Sequence, residues 1–413
     1  MSHRCDVLFI HPPHHRRKES GTILPLGLAY LAACARDNNF YPQVIDCAAQ
    51  YSSVNRIYLE NMKEWLECKI LEMKPRLAVA IGPCMTSNIK GTIAIADTCH
   101  KCLPSTPMIF GGPLASTPNQ EWLFFNVLHA SAVIPGEGEL VLVNLLKAIR
   151  DKKVINDVDG VITESNPKIQ PAIIQDLNAL PFPARDLFPN SLYKLSLRRE
   201  LFSNPFANLV TTRGCPYSCP FCLSGTLNNR HRRRSLDNIM REIKSLIEQQ
   251  EVKSLVFYDD LMFPNKSTLN EDIGFFCEAV DRTTNGSILW QIEIRPDLLC
   301  ELEDATMIKM VNAGCRQLNL GIEKGYEKGI RYFGKKINLD ELKDFCNSIK
   351  KKYKTMRLAG TFIIGGSNET EDEALQTIDY SRELNLLYAH FNPLKLYPGT
   401  KYYNDKYGEE SKH

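Results

Sequence analysis

The sequence predicts an α/β protein built from two successive parallel-sheet units. Three observations carry this. The chain has 413 residues, more than one hydrophobic core usually organises. Short apolar runs alternate with helix-patterned segments in two separate series. Between the series lies a proline-bearing stretch, Gln175-Asp-Leu-Asn-Ala-Leu-Pro-Phe-Pro-Ala-Arg-Asp186, where proline blocks helix and favours an extended connector. Hydrophobic residues make up 44% and charged residues 24%, as in ordinary globular proteins. A formal net charge of +2 argues against nucleic acid as a partner.

The first series opens with Asp6-Val-Leu-Phe-Ile-His11, an apolar run closed by Pro12-Pro13, then a polar loop and a helical pattern over 26–37. His11, His14 and His15 cluster there and could face a ligand, but a solvated loop is the simpler reading. Further strands are expected at 43–46, 77–81, 108–110 and 132–134, with helices near 55–73, 87–103, 120–128 and 139–151. This alternation predicts a doubly wound parallel sheet with helices on both faces. Its strand ends carry Gly82-Pro-Cys84-Met85-Thr86-Ser87, Gly111-Gly112-Pro113-Leu-Ala-Ser116 and Pro135-Gly136-Glu137-Gly138-Glu139. All would converge on one sheet edge, where glycines admit close backbone approach to a ligand. By themselves such loops suit a nucleotide, another flat ligand, or none. Cys99-His-Lys-Cys102 closes a helix with no second cysteine pair to complete a metal site, and is expected to be inert. A short strand is expected at 160–163.

The second series places strands at 207–212, 254–259, 287–294, 316–322, 356–364 and 389–396. At the end of the first stands Thr211-Thr-Arg-Gly-Cys215-Pro-Tyr-Ser-Cys219-Pro-Phe221-Cys222. Three thiolates in C-x3-C-x2-C spacing can each take one iron of a [4Fe-4S] cube and leave the fourth iron open. A zinc loop would need a fourth protein ligand, and none lies nearby in sequence. The other strand ends carry Asp259, Asp260, Glu293, Arg295, Glu323 and Ile363 to Gly366, at the edge where α/β sheets keep their sites. Each acidic residue also has a plain reading as a helix cap.

This cysteine loop, with Phe221 before its third cysteine, resembles the signature of the radical S-adenosylmethionine (SAM) enzymes. The resemblance implies a partial (β/α)6 TIM-type barrel in which SAM chelates the open iron. It further implies that Phe221, Asp259 or Asp260, Arg295 and Glu323 surround the SAM methionine and ribose, with Ile363 and Gly365 beside the adenine. The chain departs from the family at Gly365-Gly-Ser-Asn-Glu-Thr370, where relatives often carry Gly-Leu-Pro-Gly-Glu-Thr. The first series, with its Pro-Leu-Gly-Leu-Ala-Tyr run at 25–30, resembles the Rossmann-like cobalamin-binding domain that precedes many radical SAM domains. That assigns Cys84, Met85, Thr86, Ser87, Gly111, Gly112, Pro113, Ser116, Gly136, Glu137 and Gly138 to cobalamin contact. Leu114 stands where many relatives have a histidine, so no imidazole is expected below the cobalt. The implied layout is a cobalamin domain at 1–165, a linker at 166–195 and a radical SAM barrel at 196–413.

The resemblance implies a cobalamin-dependent radical SAM methyltransferase acting on an unactivated carbon of a small molecule. Other outcomes remain open: rearrangement, cyclisation or oxidation with cobalamin assisting or absent, the first domain then keeping only its fold; transfer of the 3-amino-3-carboxypropyl group; or a non-catalytic carrier of cluster or corrinoid. An electron donor such as flavodoxin or ferredoxin is implied. Nothing at the N-terminus follows the plan of a signal peptide, and no apolar run is long enough to span a bilayer. A cytoplasmic protein is therefore expected, its fourteen cysteines reduced apart from one metal site. The basic runs His231-Arg-Arg-Arg234 and Lys350-Lys-Lys-Tyr-Lys354 read as solvated faces.

Overall fold

The computed structural model describes residues 4–14, 22–51, 56–167, 170–193, 202–366 and 368–408. The chain divides into two compact units, one within residues 1–197 and the other within 198–411.

In the first unit, β1 (Val7–His11), β2 (Pro42–Asp46), β3 (Ala78–Ile81), β4 (Met108–Gly111) and β5 (Ala132–Ile134) form one sheet in the order β2-β1-β3-β4-β5. Every pairing is parallel. β1, β3 and β5 are buried throughout, which is why they read as unbroken apolar runs rather than alternating ones. Helices Leu26–Asp37 and Glu139–Arg150 pair with each other, as do Arg56–Met73 and Ile89–Cys102. The strand order reverses direction between β1 and β3, the switch point where such sheets place their ligands.

Three local expectations are corrected. The segment at 160–163 makes no strand; Ile162 forms an isolated antiparallel bridge to Val133. The helix expected at 120–128 is a single wide turn, Leu123–Val127. His11 is not on a solvated loop: it is buried at the end of β1, and His15 lies outside the described residues.

The proline-bearing connector is hydrogen-bonded into the first unit. Ala184 N–H donates to Ala29 O at 3.0 Å, Arg36 forks onto Asp186 at 3.0 and 2.7 Å, and Tyr193 donates to Asp46 at 2.6 Å.

In the second unit, β6 (Phe206–Leu209) is followed by a small antiparallel pair, β7 (Thr212–Arg213) and β8 (Arg232–Arg233). Then come β9 (Ser254–Phe257), β10 (Leu289–Ile294), β11 (Cys315–Glu323), β12 (Arg357–Ile364) and β13 (Tyr388–Pro393). The large sheet runs β13-β12-β11-β10-β9-β6, all parallel. Each strand lies beside its predecessor, as in a barrel, but β6 and β13 do not pair, so the sheet is open.

One face of this sheet packs Leu209, Phe257, Trp290, Ile292, Leu318 and Phe362 into the core. With side chains alternating along each strand, the opposite face carries Asn208, Gln291, Glu293, Gln317, Asn319 and Thr361. The first strand ends earlier than the sequence reading of 207–212, for a reason given below. Among the described residues no helix is long and apolar enough to cross a membrane.

Candidate active site

β6 ends because Asp259, just beyond β9, captures the chain. One oxygen, Oδ1, accepts from the N–H of Thr211 at 2.7 Å and of Thr212 at 2.5 Å, and from their hydroxyls at 3.1 and 2.8 Å. Thr212 then turns aside to pair with Arg233. Next comes Gly214 at φ +82°, where a Cβ would lie 2.3 Å from Arg230 O, so only glycine fits. Cys215 N–H donates to Asn228 O at 3.1 Å, and Cys222 N–H to Cys219 O at 3.0 Å. The loop ends at Cys222, which caps the short helix Leu223–Leu227.

All three thiols are half-buried. Among the described residues no three His, Cys, Asp or Glu side chains converge as a single-ion site. A cube asks for something else: one thiolate per iron, spread around the cluster rather than drawn to a point. Soft thiol donors on a glycine-turned loop at a parallel strand's carboxyl end fit that demand.

Arg295 follows β10 and reaches this loop. Its Nη1 is 3.7 Å from Cys219 Sγ and its guanidinium lies 3.7 Å from the Tyr217 ring centroid. Nε and Nη2 bond Asp297 at 3.0 and 3.1 Å. Most of the fork is thus committed within the protein, and a ligand carboxylate would meet mainly Nη1.

Asp259 and Asp260 are adjacent but differ. Asp259 is buried, Oδ1 holds Thr211 and Thr212, and Oδ2 has no partner; burial pushes its pKa up to about 6 against those four hydrogen bonds. Asp260 is exposed. Of the two, Asp260 is free to meet a ligand.

Glu323 sits at a bulge of β11 with φ +70°, a conformation that costs a non-glycine residue and persists only when its surroundings enforce it. Its Oε1 meets Lys335 Nζ at 2.8 Å, both side chains being nearly buried, and the same ammonium bonds Gly321 O. Beside it, Lys324 is paired with Glu369 in the interior, and Tyr326 donates to Glu369 at 3.0 Å. Lys324 Nζ also donates to Gly365 O at 3.1 Å, while Gly365 N–H donates to Glu369. Gly365 follows β12 at φ +93° and Ile363 is buried within it. Burial lowers the Lys324 pKa, with Glu369 opposing. A recess opens here, lined in part by Lys324, Tyr326, Tyr332, Phe333, Gly365 and Gly366.

The Phe221 ring lies 5.0 Å from that of Phe333, whose face is 5.1 Å from Lys324 Nζ. The third cysteine's neighbour is thereby linked to the strand ends of β11 and β12. Tyr402 N–H donates to Pro220 O at 3.1 Å, and its ring stacks on Tyr332 at 4.6 Å. Sequence reasoning missed Tyr217, Asp297, Lys324, Phe333, Lys335, Glu369 and Tyr402. Lys324 beside Glu323, and Glu369 after the paired glycines, were visible as opposite charges at strand ends. The partnerships of Lys335 and Tyr402 left no local signal.

In the first unit the three loops do meet. Cys84 N–H donates to Gly111 O at 2.7 Å, Leu114 N–H to Cys84 O at 3.0 Å, and Gly136 N–H to Ser116 Oγ at 2.8 Å. Glu137 Oε2 accepts from Ile174 N–H at 2.7 Å. Cys84 and Leu114 are buried, Met85 and Pro113 partly so, and Thr86 and Ser87 are exposed. The glycines are not all vacant space. At Gly112 (φ +110°) a Cβ would lie 2.6 Å from Cys84 N, and at Gly136 (φ +75°) 2.6 Å from Ala172 O. Both permit contact of the loops with one another and with the connector. At Gly111 the nearest atom is Ile134 O at 3.3 Å, and at Gly138 nothing is nearer than 3.4 Å. Thr86 and Ser87 present their hydroxyls at this edge, while Leu114 is buried.

At the ends of β1 and β2, His11 Nδ1 meets Asp46 Oδ1 at 2.8 Å, and Tyr193 and Ala49 N–H also donate to that carboxylate, at 2.6 and 2.9 Å. Burial pushes the Asp46 carboxyl up, but these bonds outweigh it and hold its pKa below the usual range.

Residues 209–381 match the family model described as the radical SAM superfamily. An uncharacterized methyltransferase of Pyrococcus horikoshii is 27% identical over 405 residues, covering 96% of this chain and 82% of that one. The hopanoid C-3 methylase of Methylococcus capsulatus is 27% identical over 64% of this chain, which spans about half of that protein (49%). Among solved structures, the radical SAM methyltransferase TsrM of Kitasatospora setae, with cobalamin and a [4Fe-4S] cluster bound, superimposes with a TM-score of 0.69. It shares 18% identity over 96% of this chain and 74% of its own. The cobalamin-dependent radical SAM enzyme OxsB, with aqua-cobalamin and SAM bound, gives 0.72 at 17% identity, covering 98% of this chain and 55% of that one. These likenesses extend the shared fold across both units. The cysteine loop, the open parallel sheet and the matched model agree: the domain at 209–381 is similar to the radical SAM superfamily.

Proposed function

We propose that this chain is a cobalamin-dependent radical SAM methyltransferase that modifies a carbon of a small molecule. The observation that carries the reading is a three-cysteine loop on an open (β/α)6 sheet, preceded in the same chain by a five-stranded parallel sheet with exposed hydroxyls at its carboxyl edge. The named similarities to TsrM, OxsB and the Pyrococcus horikoshii methyltransferase run through both elements.

When bound, the cluster with SAM supplies a radical able to remove a hydrogen from unactivated carbon, and the corrinoid supplies the methyl group. The chain's part is to hold and align. Cys215, Cys219 and Cys222 would ligate three irons. Arg295 Nη1 and Asp260 would meet the methionine carboxylate and amine of SAM, and Glu323, fixed by Lys335, its ribose. The Gly365 backbone, clamped by Glu369 and Lys324, would form the adenine's edge, with Ile363 and Phe221 as apolar neighbours. Asp259 has a bracing role instead, positioning Thr211 and Thr212 ahead of the first cysteine. In the first unit Thr86, Ser87, Gly111 and Gly138 would meet the corrinoid, while Cys84, Met85, Gly112, Pro113, Ser116, Gly136 and Glu137 shape the loops that carry them.

The test is anaerobic reconstitution with iron, sulfide and hydroxocobalamin, followed by the absorption spectrum of the retained corrinoid and analysis of SAM products. Retained corrinoid with 5′-deoxyadenosine and S-adenosylhomocysteine is expected. 5′-Methylthioadenosine would point to aminocarboxypropyl transfer, and 5′-deoxyadenosine without corrinoid to a cobalamin-free radical reaction.

A further inference from the structure

We propose that the segment at 397–402, after β13, is a clasp that holds the turn at 219–222 shut and keeps the iron of the cluster from solvent ligands. The inference rests on the cluster assignment above.

The clasp is written locally as Tyr397-Pro-Gly-Thr-Lys-Tyr402. Gly399, at φ +90°, lets the chain double back. Tyr397 O then accepts from Thr400 N–H at 3.1 Å and from the Thr400 hydroxyl at 2.7 Å. Thr400 is fully buried and caps the helix Lys401–Tyr407, its hydroxyl accepting from Tyr403 N–H at 3.4 Å. The first N–H groups of a helix have no partner within it. Tyr402 carries one of them, and it reaches across to Pro220 O at 3.1 Å. That backbone bond ties the segment to the middle of the turn between the second and third cysteines, whose own closing bond runs from Cys222 N–H to Cys219 O at 3.0 Å.

Side chains complete the grip. The buried Tyr402 ring stacks on Tyr332 at 4.6 Å and stands edge-on to Phe333 at 6.0 Å, and its hydroxyl donates to Tyr332 O. Phe333 in turn lies 5.0 Å from Phe221. Pro220 also packs on Gly334, where at φ +67° a Cβ would lie 3.0 Å from the proline Cδ. Pro220 and Phe221 are thus held by the end of the helix Glu327–Tyr332 and the start of the helix Lys401–Tyr407. Tyr397 lies near the third cysteine: burial raises its pKa, and the charge of Cys222 adds to the rise. Two of the three proposed iron ligands therefore flank a turn that opens only when an aromatic stack and a backbone bond from a distant segment part first. Such local opening has its own free energy, separate from that of global unfolding.

The experiment compares the reconstituted protein with Tyr402→Ala, Tyr402→Phe and Tyr380→Ala. Iron release to excess bathophenanthroline disulfonate, a water-soluble ferrous chelator, is followed anaerobically by absorbance, and thermal unfolding of each iron-loaded protein is recorded in parallel. Tyr380 supplies the control: its ring is as buried as that of Tyr402, but it belongs to the helix Glu371–Glu383 and bonds Leu339 O at 2.6 Å.

Tyr402→Ala should release iron at least about tenfold faster than the parent, loss of a stacked ring being enough to raise the open population that far. Tyr402→Phe keeps the stack and the backbone bond and should stay within about threefold, and Tyr380→Ala within about twofold although it lowers the unfolding midpoint. Release at the parent's rate in Tyr402→Ala, or equal acceleration in Tyr380→Ala, would overturn the clasp and leave the cluster assignment in place. Where Tyr402→Ala yields too little folded protein, Tyr332→Leu removes the other half of the stack and should also speed release; the parent's rate there overturns the clasp equally. A parent protein that takes up no iron would overturn the cluster assignment as well.

Discussion

At the carboxyl edge of the first sheet the buried polar groups satisfy one another: His11 bonds Asp46, Asp46 bonds Tyr193, and Ser116 bonds Gly136. At the same edge of the second sheet they are charged and paired, with Lys335 on Glu323, Lys324 on Glu369, and Arg295 between Asp297 and Cys219. Both edges come from the same parallel α/β construction, which leaves strand ends open to a ligand. The first edge presents backbone and hydroxyls, the second fixed charges. The difference teaches that topology locates a site while side-chain partnerships decide what it takes.

The largest effect that would break this contrast is loss of the cysteines. Reconstituted protein should hold about four irons per chain, and Cys215→Ala/Cys219→Ala/Cys222→Ala should hold none; iron analysis decides, and about eight irons in the parent would reveal a second cluster. Next is the buried pair behind Gly365. Glu369→Leu strands the Lys324 ammonium and should cost about 3–5 kcal/mol by denaturant unfolding, whereas Lys324→Met/Glu369→Leu should recover most of it. Equal losses in both would mean that the pair's charge is immaterial.

Asp259 sharpens the comparison through pH. Its folded pKa of about 6 lies above the unfolded carboxyl value, so between about pH 4 and 6 the unfolded chain loses the proton first and stability falls as pH rises. The stability of the parent relative to Asp259→Asn should decline by about 1.4 kcal/mol per pH unit across that window, about 3 kcal/mol in all, and level off above it. A flat difference would place the Asp259 proton elsewhere. Arg295→Ala and Glu323→Ala should each weaken SAM binding by about 1.5–3 kcal/mol, tenfold or more, in calorimetric titration of the reconstituted protein. Unchanged affinity in both moves the SAM site away from these strand ends. Smallest of all, Arg36→Ala breaks a pair whose side chains are 45% and 65% exposed, and should cost no more than about 1 kcal/mol in thermal unfolding.

Much of the fold was legible because buried strands announce themselves. The helix at 26–37 and the strand at 132–134 fall where expected, and the strands of the second sheet lie within a few residues of their expected bounds, since apolar runs and proline or glycine punctuation are local signals. Strand ends were less legible. β6 was read through Thr212 because nothing nearby shows that a carboxylate 48 residues away captures Thr211. The same holds in the site. The cysteine spacing is written in twelve consecutive residues, but the Glu323 backbone conformation, the choice of Lys335 as its partner, and the burial of His11 on Asp46 depend on chain segments that meet only in the folded protein. The glycines of the first sheet mislead for a related reason: the sequence reading brings a ligand against them, but at Gly112 and Gly136 the approaching atoms belong to the protein.

The position of Arg295 has an electrochemical consequence. With Nη1 3.7 Å from Cys219 Sγ, the guanidinium would donate to a ligand sulfur once that thiolate holds iron, and hydrogen bonds to sulfur are among the features that set a cluster's reduction potential. Its positive charge favours the electron-rich state, so Arg295→Ala should shift the midpoint potential downward as well as loosen SAM. A residue proposed to meet the SAM carboxylate would then also govern how readily the centre accepts its electron, coupling the driving force for electron uptake to the alignment of the molecule to be cleaved.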